Sequence, residues 1–249
     1  MRNIWTIARR EYRHYFISPV AYIIALLLFL ITGIFFVLIV YYAEQSAYTS
    51  SYATPPGTDT IMNIIAYLFL LALPALTMRL MAEEHRSGTL ELLLTYPLHD
   101  WELVVGKWLG SFLFILSVIA VTLIFPLVLN QLVSPGIDQG LMLANYLGII
   151  LVAAAFLSIG TAISSLFNNQ FAAFFATLAV LFFLWWVIGW PAAIMQNGGG
   201  VFNYLSMSNH FYNSLLTGTV ALGDVIYYAS LTAFGLVVGT VAVEIRRWK

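Results

Sequence analysis

VAYIIALLLFLITGIFFVLIVYY, residues 20–42, contains no Asp, Glu, Lys or Arg. Its length matches the ~20 apolar residues that a helix needs to cross the hydrocarbon layer. Basic residues precede it, but it is too long for a signal-peptide core and lacks a convincing small-x-small cleavage site, so it reads as a retained span. Working outward, five further predominantly apolar runs of similar length lie at about 61–80, 103–129, 141–167, 171–193 and 225–243. Backbone groups in lipid must be satisfied within their own segment, which makes such runs helices. The expected fold class is therefore all-α: a polytopic membrane protein of six transmembrane helices, with residues 1–249 forming a single transmembrane domain.

Composition supports this. Of 249 residues, 61% are apolar and 8% charged, against roughly 45–50% and about 25% in soluble domains. The surplus must face lipid. A net charge of −1 with no basic stripe argues against nucleic-acid binding, which draws its affinity from phosphate neutralisation. The absence of cysteine excludes disulfides, thiolate metal sites and cysteine nucleophiles.

Positive residues mark the cytoplasmic side of span ends. Arg2, Arg9, Arg10 and Arg13 precede span one, Arg79, Arg86 and Lys107 flank the loop between spans two and three, and Arg246, Arg247 and Lys249 follow span six, whereas 43–60, 130–140 and 194–224 hold no Lys or Arg. Both termini are therefore expected in the cytoplasm. Asn168-Asn169-Gln170 is short, neutral and uninformative. Residues 201–222 are too apolar for a free loop, while Asn203, Asn209, His210 and Asn213 make a poor lipid-facing span. A full crossing would place the C-terminal charges outside, so a re-entrant or interfacial helical pair on the outer side is expected, entered through Gly198-Gly199-Gly200. In it Phe202, Leu205, Phe211 and Leu215 would pack on spans five and six, with Asn203, Asn209, His210 and Phe211 forming an outer gate.

Residues 1–17 read as an amphipathic helix on the inner leaflet, with Arg2, Arg9 and Arg13 on one face and Ile4, Ala8, Tyr12 and Tyr15 on the other. It serves either as a positive-inside anchor or as a regulatory element; Glu11 interrupts its apolar side and needs a basic partner from another segment. Ser18-Pro19 ends it. The segment 83–99 concentrates charge: Glu83, Glu84 and Glu91 lie in it, with Asp100 and Glu102 just beyond. Gly88 can end the helix leaving span two, Thr89 can cap a short helix containing Leu90, Leu92, Leu93 and Leu94, and Pro97 stops it. Asp100 is expected to cap span three. That leucine helix either lies on the bilayer or docks on another protein.

The run Glu83-Glu84-x-x-x-Gly88-Thr89-Leu90-Glu91-x-Leu93-x-x-x-Pro97, followed by Glu102 and Gly106-Lys107, resembles the signature of ABC-2 type transporter permeases, most closely those of the gliding-motility type. Phe16-x-Ser18-Pro19 before Ala21-Tyr22, six spans and a re-entrant region before span six extend the likeness over essentially the whole chain. The resemblance implies an ABC-2 exporter fold in the bacterial plasma (inner) membrane, with 83–99 as a coupling helix docking on a separate ABC ATP-binding subunit through Glu83, Glu84, Gly88, Thr89, Glu91 and Pro97. Arg86, Leu93, Lys107 and Glu11 would support it, Lys107 by pairing with acids or by contacting lipid headgroups. It implies a second permease half, identical or related, and membrane lipids as further partners. No cofactor is expected in this chain; ATP and Mg would sit on the partner.

A phosphate-binding loop needs G-x-x-x-x-G-K-[ST], and neither lysine fits: Lys107 precedes Trp108, and Lys249 is terminal. No charge falls mid-span, which argues against proton coupling. Thr32, Thr77, Ser117, Thr122, Ser158, Thr161, Ser164 and Thr177 read as groups satisfying neighbouring helices, and Gly106/Gly110 and Gly235/Gly239 as close-packing faces. Pro74 and Pro126 can kink spans two and three. Trp185, Trp186, Trp190, Tyr227 and Tyr228 read as an interfacial belt or an aromatic outer gate. His210 and Asp224 each stand alone in sequence, so no catalytic residue and no metal-ligand set is expected. Competing readings are an ATP-independent carrier or channel, and a scaffold recruiting a cytoplasmic partner.

Overall fold

The computed structural model describes residues 2–49, 57–83, 99–134, 136–195 and 199–247. Every regular element among them is a helix. In chain order these are α1 (Arg2–Tyr15), α2 (Pro19–Thr49), α3 (Thr58–Thr77), α4 (Asp100–Thr122), α5 (Ile124–Leu132), α6 (Gln139–Leu166), α7 (Gln170–Trp185), α8 (Trp190–Ile194), α9 (Gly199–Leu205), α10 (Met207–Tyr212) and α11 (Leu222–Arg247), with 3-10 turns at Val187–Gly189 and Leu215–Thr217. Six stretches are long and apolar enough to cross a membrane: Pro19–Gln45, Thr58–Thr77, Asp100–Leu132, Gln139–Leu166, Gln170–Ala192 and Leu222–Ile245.

Local chemistry sets the helix ends. Pro19 opens α2, where its missing N–H removes nothing. Asp138 caps α6, accepting from the N–H groups of Gly140 (2.8 Å) and Leu141 (3.1 Å), and Asn169 caps α7 through Phe171 N–H at 2.9 Å. His99, not Asp100, occupies the cap position of α4; Asp100 is the first helical residue, favourable there beside the positive helix end. Pro74 lies within α3, which gives way to a turn after Thr77. Pro126 sits in the first turn of α5, just past the break at Leu123 that separates α5 from α4.

The pillar of the fold is α6, most of which is buried, with α11 and α3 packed most extensively against it and α7 and α4 alongside. Lipid offers no hydrophobic drive between helices, so close approach depends on small residues. A Cβ added at Gly235 would lie 2.8 Å from the Ser158 carbonyl carbon, one at Gly239 3.3 Å from Ala162 Cα, and one at Gly160 would run into the Thr77 side chain. In contrast, α2 packs chiefly on α3 and leaves Ile23, Leu26, Leu30 and Val37 exposed.

The N-terminal helix differs from expectation. It runs lengthwise along α4, and the apolar face assigned to lipid is covered by protein. The cause is the pair Gly106/Gly110: added Cβ atoms there would meet Ile7 Cβ at 2.8 Å and Ala8 O at 2.8 Å. That flat strip lets the backbones touch and buries Ala8 and Tyr15. Gly235→Leu should destabilise the protein by about 1–3 kcal/mol through overpacking against backbone, whereas Gly33→Leu, with nothing within 4 Å of its added Cβ, should leave the thermal unfolding midpoint in detergent unchanged.

Candidate functional site

At one end of the bundle, here the basic end, α3 stops and residues 78–83 turn away from it. Ending a helix leaves backbone groups unsatisfied, and two side chains from other helices take them up. Ser164 Oγ of α6 accepts from Met81 N–H at 3.1 Å and Ala82 N–H at 3.2 Å, and donates to the Met78 carbonyl at 3.3 Å. From α4, the Lys107 ammonium donates to the Leu80 carbonyl at 2.5 Å. Lys107 is only 2% exposed, and its charge is met by Glu11 of α1 at 3.8 Å. The 78–83 turn and α1 thus converge on one buried lysine of α4, and α6 holds the same turn through Ser164.

Beside it, Asn3 Nδ2 donates to Glu102 Oε2 at 3.1 Å, and Glu102 reaches back to His99 N–H at 3.4 Å, tying the start of α1 to the start of α4. Tyr12 and Ser117 share a hydrogen bond at 3.0 Å, and Tyr15 stacks on Phe114 at 4.9 Å. Burial, with the Glu11 carboxylate nearby, pushes the Tyr15 phenol well above its ordinary range. The basic end therefore holds residues 83 and 99, the two ends of the charged loop, on a rigid platform. Of the loop residues themselves, Glu83 is exposed beside this platform; Glu84, Arg86, Gly88, Thr89, Glu91, Leu93 and Pro97 lie outside the described residues.

The far end carries residues 199–222. Gly199 and Gly200 open α9 rather than forming a free hinge, and Gly198 lies outside the described residues. Phe211 and Leu215 are fully buried, Leu215 against Gly148 of α6, whereas Leu205 is exposed. Trp185, Tyr227 and Tyr228 do not form a lipid-facing belt. They are buried, because their rings and hydroxyls hold the segment: Tyr227 donates to the Leu205 carbonyl and Tyr228 to the Met207 carbonyl, both at 2.7 Å, while Trp185 faces Phe211 at 5.8 Å. Trp190 alone of the five remains widely exposed.

His210 and Asp224, solitary in sequence, meet in space. His210 Nδ1 lies 2.6 Å from Asp224 Oδ1, Nε2 lies 2.8 Å from the Tyr204 carbonyl, and the ring stacks on Tyr227 at 4.0 Å. The ring is thus held between the Asp224 carboxyl group and the Tyr204 carbonyl, tying α10 to the start of α11. Asn209 Nδ2 donates to Asn203 Oδ1 at 3.1 Å, and Asn213 is exposed. Sequence reasoning missed Asn145: with its amide oriented to satisfy all four partners, it donates to the Leu215 (2.8 Å) and Leu216 (3.1 Å) carbonyls and accepts from Thr58 Oγ1 (2.9 Å) and Asp59 N–H (3.1 Å). A lone Asn inside an apolar run was the available signal.

The described residues thus form a helical membrane-spanning unit with a charged loop anchored at one end, the architecture of a transporter's membrane subunit. The chain matches the family model of the ABC-2 family transporter proteins over residues 5–245, and it belongs to that family. It is also similar to a probable ABC transporter permease protein, NosY, of Pseudomonas aeruginosa, with 28% identity over 189 residues, 74% of this chain and 67% of the relative. The chain is a multi-pass permease component of an ABC transporter, and the family implies an ATP-binding partner.

Lys107→Met should leave Glu11 largely buried without its cation and the Leu80 carbonyl without its donor, at a cost of about 3–5 kcal/mol. Adding Glu11→Gln should recover part of that loss, measured as a coupling in a double-mutant cycle of thermal unfolding. At the far end, His210→Ala should speed amide exchange across residues 199–217, because Asp224 and the Tyr204 carbonyl then both lose the ring that bridges them.

Proposed function

We propose that the chain is one half of an ATP-driven exporter, with its basic end and both termini in the cytoplasm of a bacterial inner membrane. The carrying observation is the platform formed by Lys107, Ser164 and Glu11. It clamps the departure of the 83–99 loop to α1, α4 and α6, so a push on that loop moves three helices together instead of bending a tether. Glu83, Glu84, Gly88, Thr89, Glu91 and Pro97 dock in a groove of the ATP-binding subunit, and ATPase closure is transmitted through them. The chain supplies no phosphate-binding loop, so nucleotide and Mg stay on the partner. The apolar face that α2 leaves uncovered is available to a second permease half, identical or related.

At the far end, α9 and α10 act as a lid over the pathway, with Asn203, Asn209, His210 and Phe211 at the gate. The lid is held by hydrogen bonds to α3 and α11, and the turn after it by Asn145 of α6, all of which can be exchanged when the helices shift.

Glu84→Lys or Gly88→Leu should abolish transport-coupled ATPase stimulation while leaving the permease folded, since reversing one charge of a desolvated pair costs about 2–5 kcal/mol of docking energy. Normal stimulation in both variants overturns the coupling assignment. In the naturally cysteine-free chain, Ser87→Cys should resist an impermeant thiol reagent in intact cells while Gln139→Cys reacts; the reverse pattern overturns the orientation. An added Cβ at Gly189 lies 3.3 Å from Ser206 Cβ, close enough for a disulfide. Oxidised Gly189→Cys/Ser206→Cys protein should lose export and regain it on reduction. Full export when cross-linked would make the segment a static cap.

A further inference from the structure

Two cavities meet along α1. One, of about 890 Å³, lies at the basic end and is lined by Arg9, Arg10, Arg13, His14 and Arg79 together with Glu11, Glu83 and Lys107. The other, of about 560 Å³, is a mostly apolar groove between α1 and α4, walled by Leu113, Leu116, Ser117 and Ala120. Trp5, Arg9 and Arg13 line both. Spacings of four residues put these three on one side of α1, away from the face buried on α4. Glu11 is committed to Lys107. Arg9, Arg13 and Arg79 make no ion pair among the described residues. The site therefore joins a guanidinium pair with no ion pair among the described residues to an apolar slot that runs from Leu113 to Ala120 along a membrane-spanning helix.

That pairing selects its ligand. Guanidinium forks match phosphate oxygens, and an exposed Trp beside them suits the headgroup level. The slot is formed by the apolar part of α4, which a soluble protein cannot reach. We propose that the two joined cavities seat one anionic phospholipid, its phosphate between Arg9 and Arg13 and one acyl chain along Leu113, Leu116 and Ala120. The leaflet it comes from rests on the orientation proposed above; the binding itself requires no ATPase, so it can fail or hold independently of the exporter reading. Seated there, the lipid bridges α1 and α4 beside Lys107 and reinforces the platform from its membrane side.

The test is native mass spectrometry of the purified permease titrated with dioleoyl phosphatidylglycerol, with dioleoyl phosphatidylcholine, and with glycerol phosphate as the chainless headgroup probe. Wild type should retain phosphatidylglycerol over phosphatidylcholine by about 30-fold, the order that two arginines supply at a membrane surface. Arg9→Gln/Arg13→Gln should abolish the preference, and Arg9→Lys/Arg13→Lys should keep most of it, separating charge from folding. Ala120→Trp, at an exposed position in the groove, should weaken retention without touching any charge. The proposal is overturned if glycerol phosphate displaces the lipid at equal concentration, which marks a chainless anion site, or if Ala120→Trp leaves retention intact. It is equally overturned if the Arg→Gln pair keeps its lipid preference, whether or not a copurifying ATPase is lost, the latter marking a protein-docking surface.

Discussion

A lysine buried to 2% exposure is the constraint around which the basic end is built. An ammonium taken out of water is unfavourable by several kcal/mol unless its donors are met, so Lys107 fixes what must surround it: a carboxylate from α1 and the Leu80 carbonyl at the broken end of α3. Removing any one contributor strands the others, which makes the assembly of α1, the 78–83 turn and α4 cooperative. Ser164 does the same work from α6, using one hydroxyl to satisfy two backbone N–H groups and one carbonyl. The loop proposed to dock on the ATP-binding partner therefore leaves the bundle from a point fixed to three helices.

Packing in the rest of the bundle follows from the absence of water. Where apolar side chains gain little by leaving lipid for protein, contact area and polar bonds decide which helices associate. Gly106/Gly110 and Gly235/Gly239 serve that role for α1 on α4 and for α11 on α6. Most hydroxyls in the spans do something humbler than bridging. Thr77, Ser158, Thr161 and Thr177 each donate to a carbonyl three or four residues back in their own helix, whereas Ser164, and Thr122 with Tyr146, cross between helices.

The two ends solve one problem in different ways. Irregular backbone near membrane depth is tolerable only when protein satisfies it. At the basic end that duty falls to a charge and a hydroxyl. At the far end it falls to Asn145 and the phenols of Tyr227 and Tyr228, with the His210–Asp224 pair fastening α10 to α11. The His210 ring of that pair stacks on Tyr227 at 4.0 Å.

By itself the sequence determined the all-helical class, the six apolar runs and the family, because span length and apolarity are properties of contiguous residues and need no partner. It also showed that Glu11 requires a basic partner, since a carboxylate on an apolar helix face has few alternatives. Only the tertiary structure decided which base that is, that α1 lies along α4, that Ser164 and Asn145 are anchors, and that His210 meets Asp224 across fourteen positions of chain. It likewise moved Trp185, Tyr227 and Tyr228 from a lipid-facing belt to the interior. A helix in lipid is apolar on all sides whether or not a neighbour covers it, so the hydrophobic periodicity that reveals buried faces in water carries no such signal here. Which face is covered is set by glycine-sized gaps and by polar groups meeting across helices, and those pairings exist only in three dimensions.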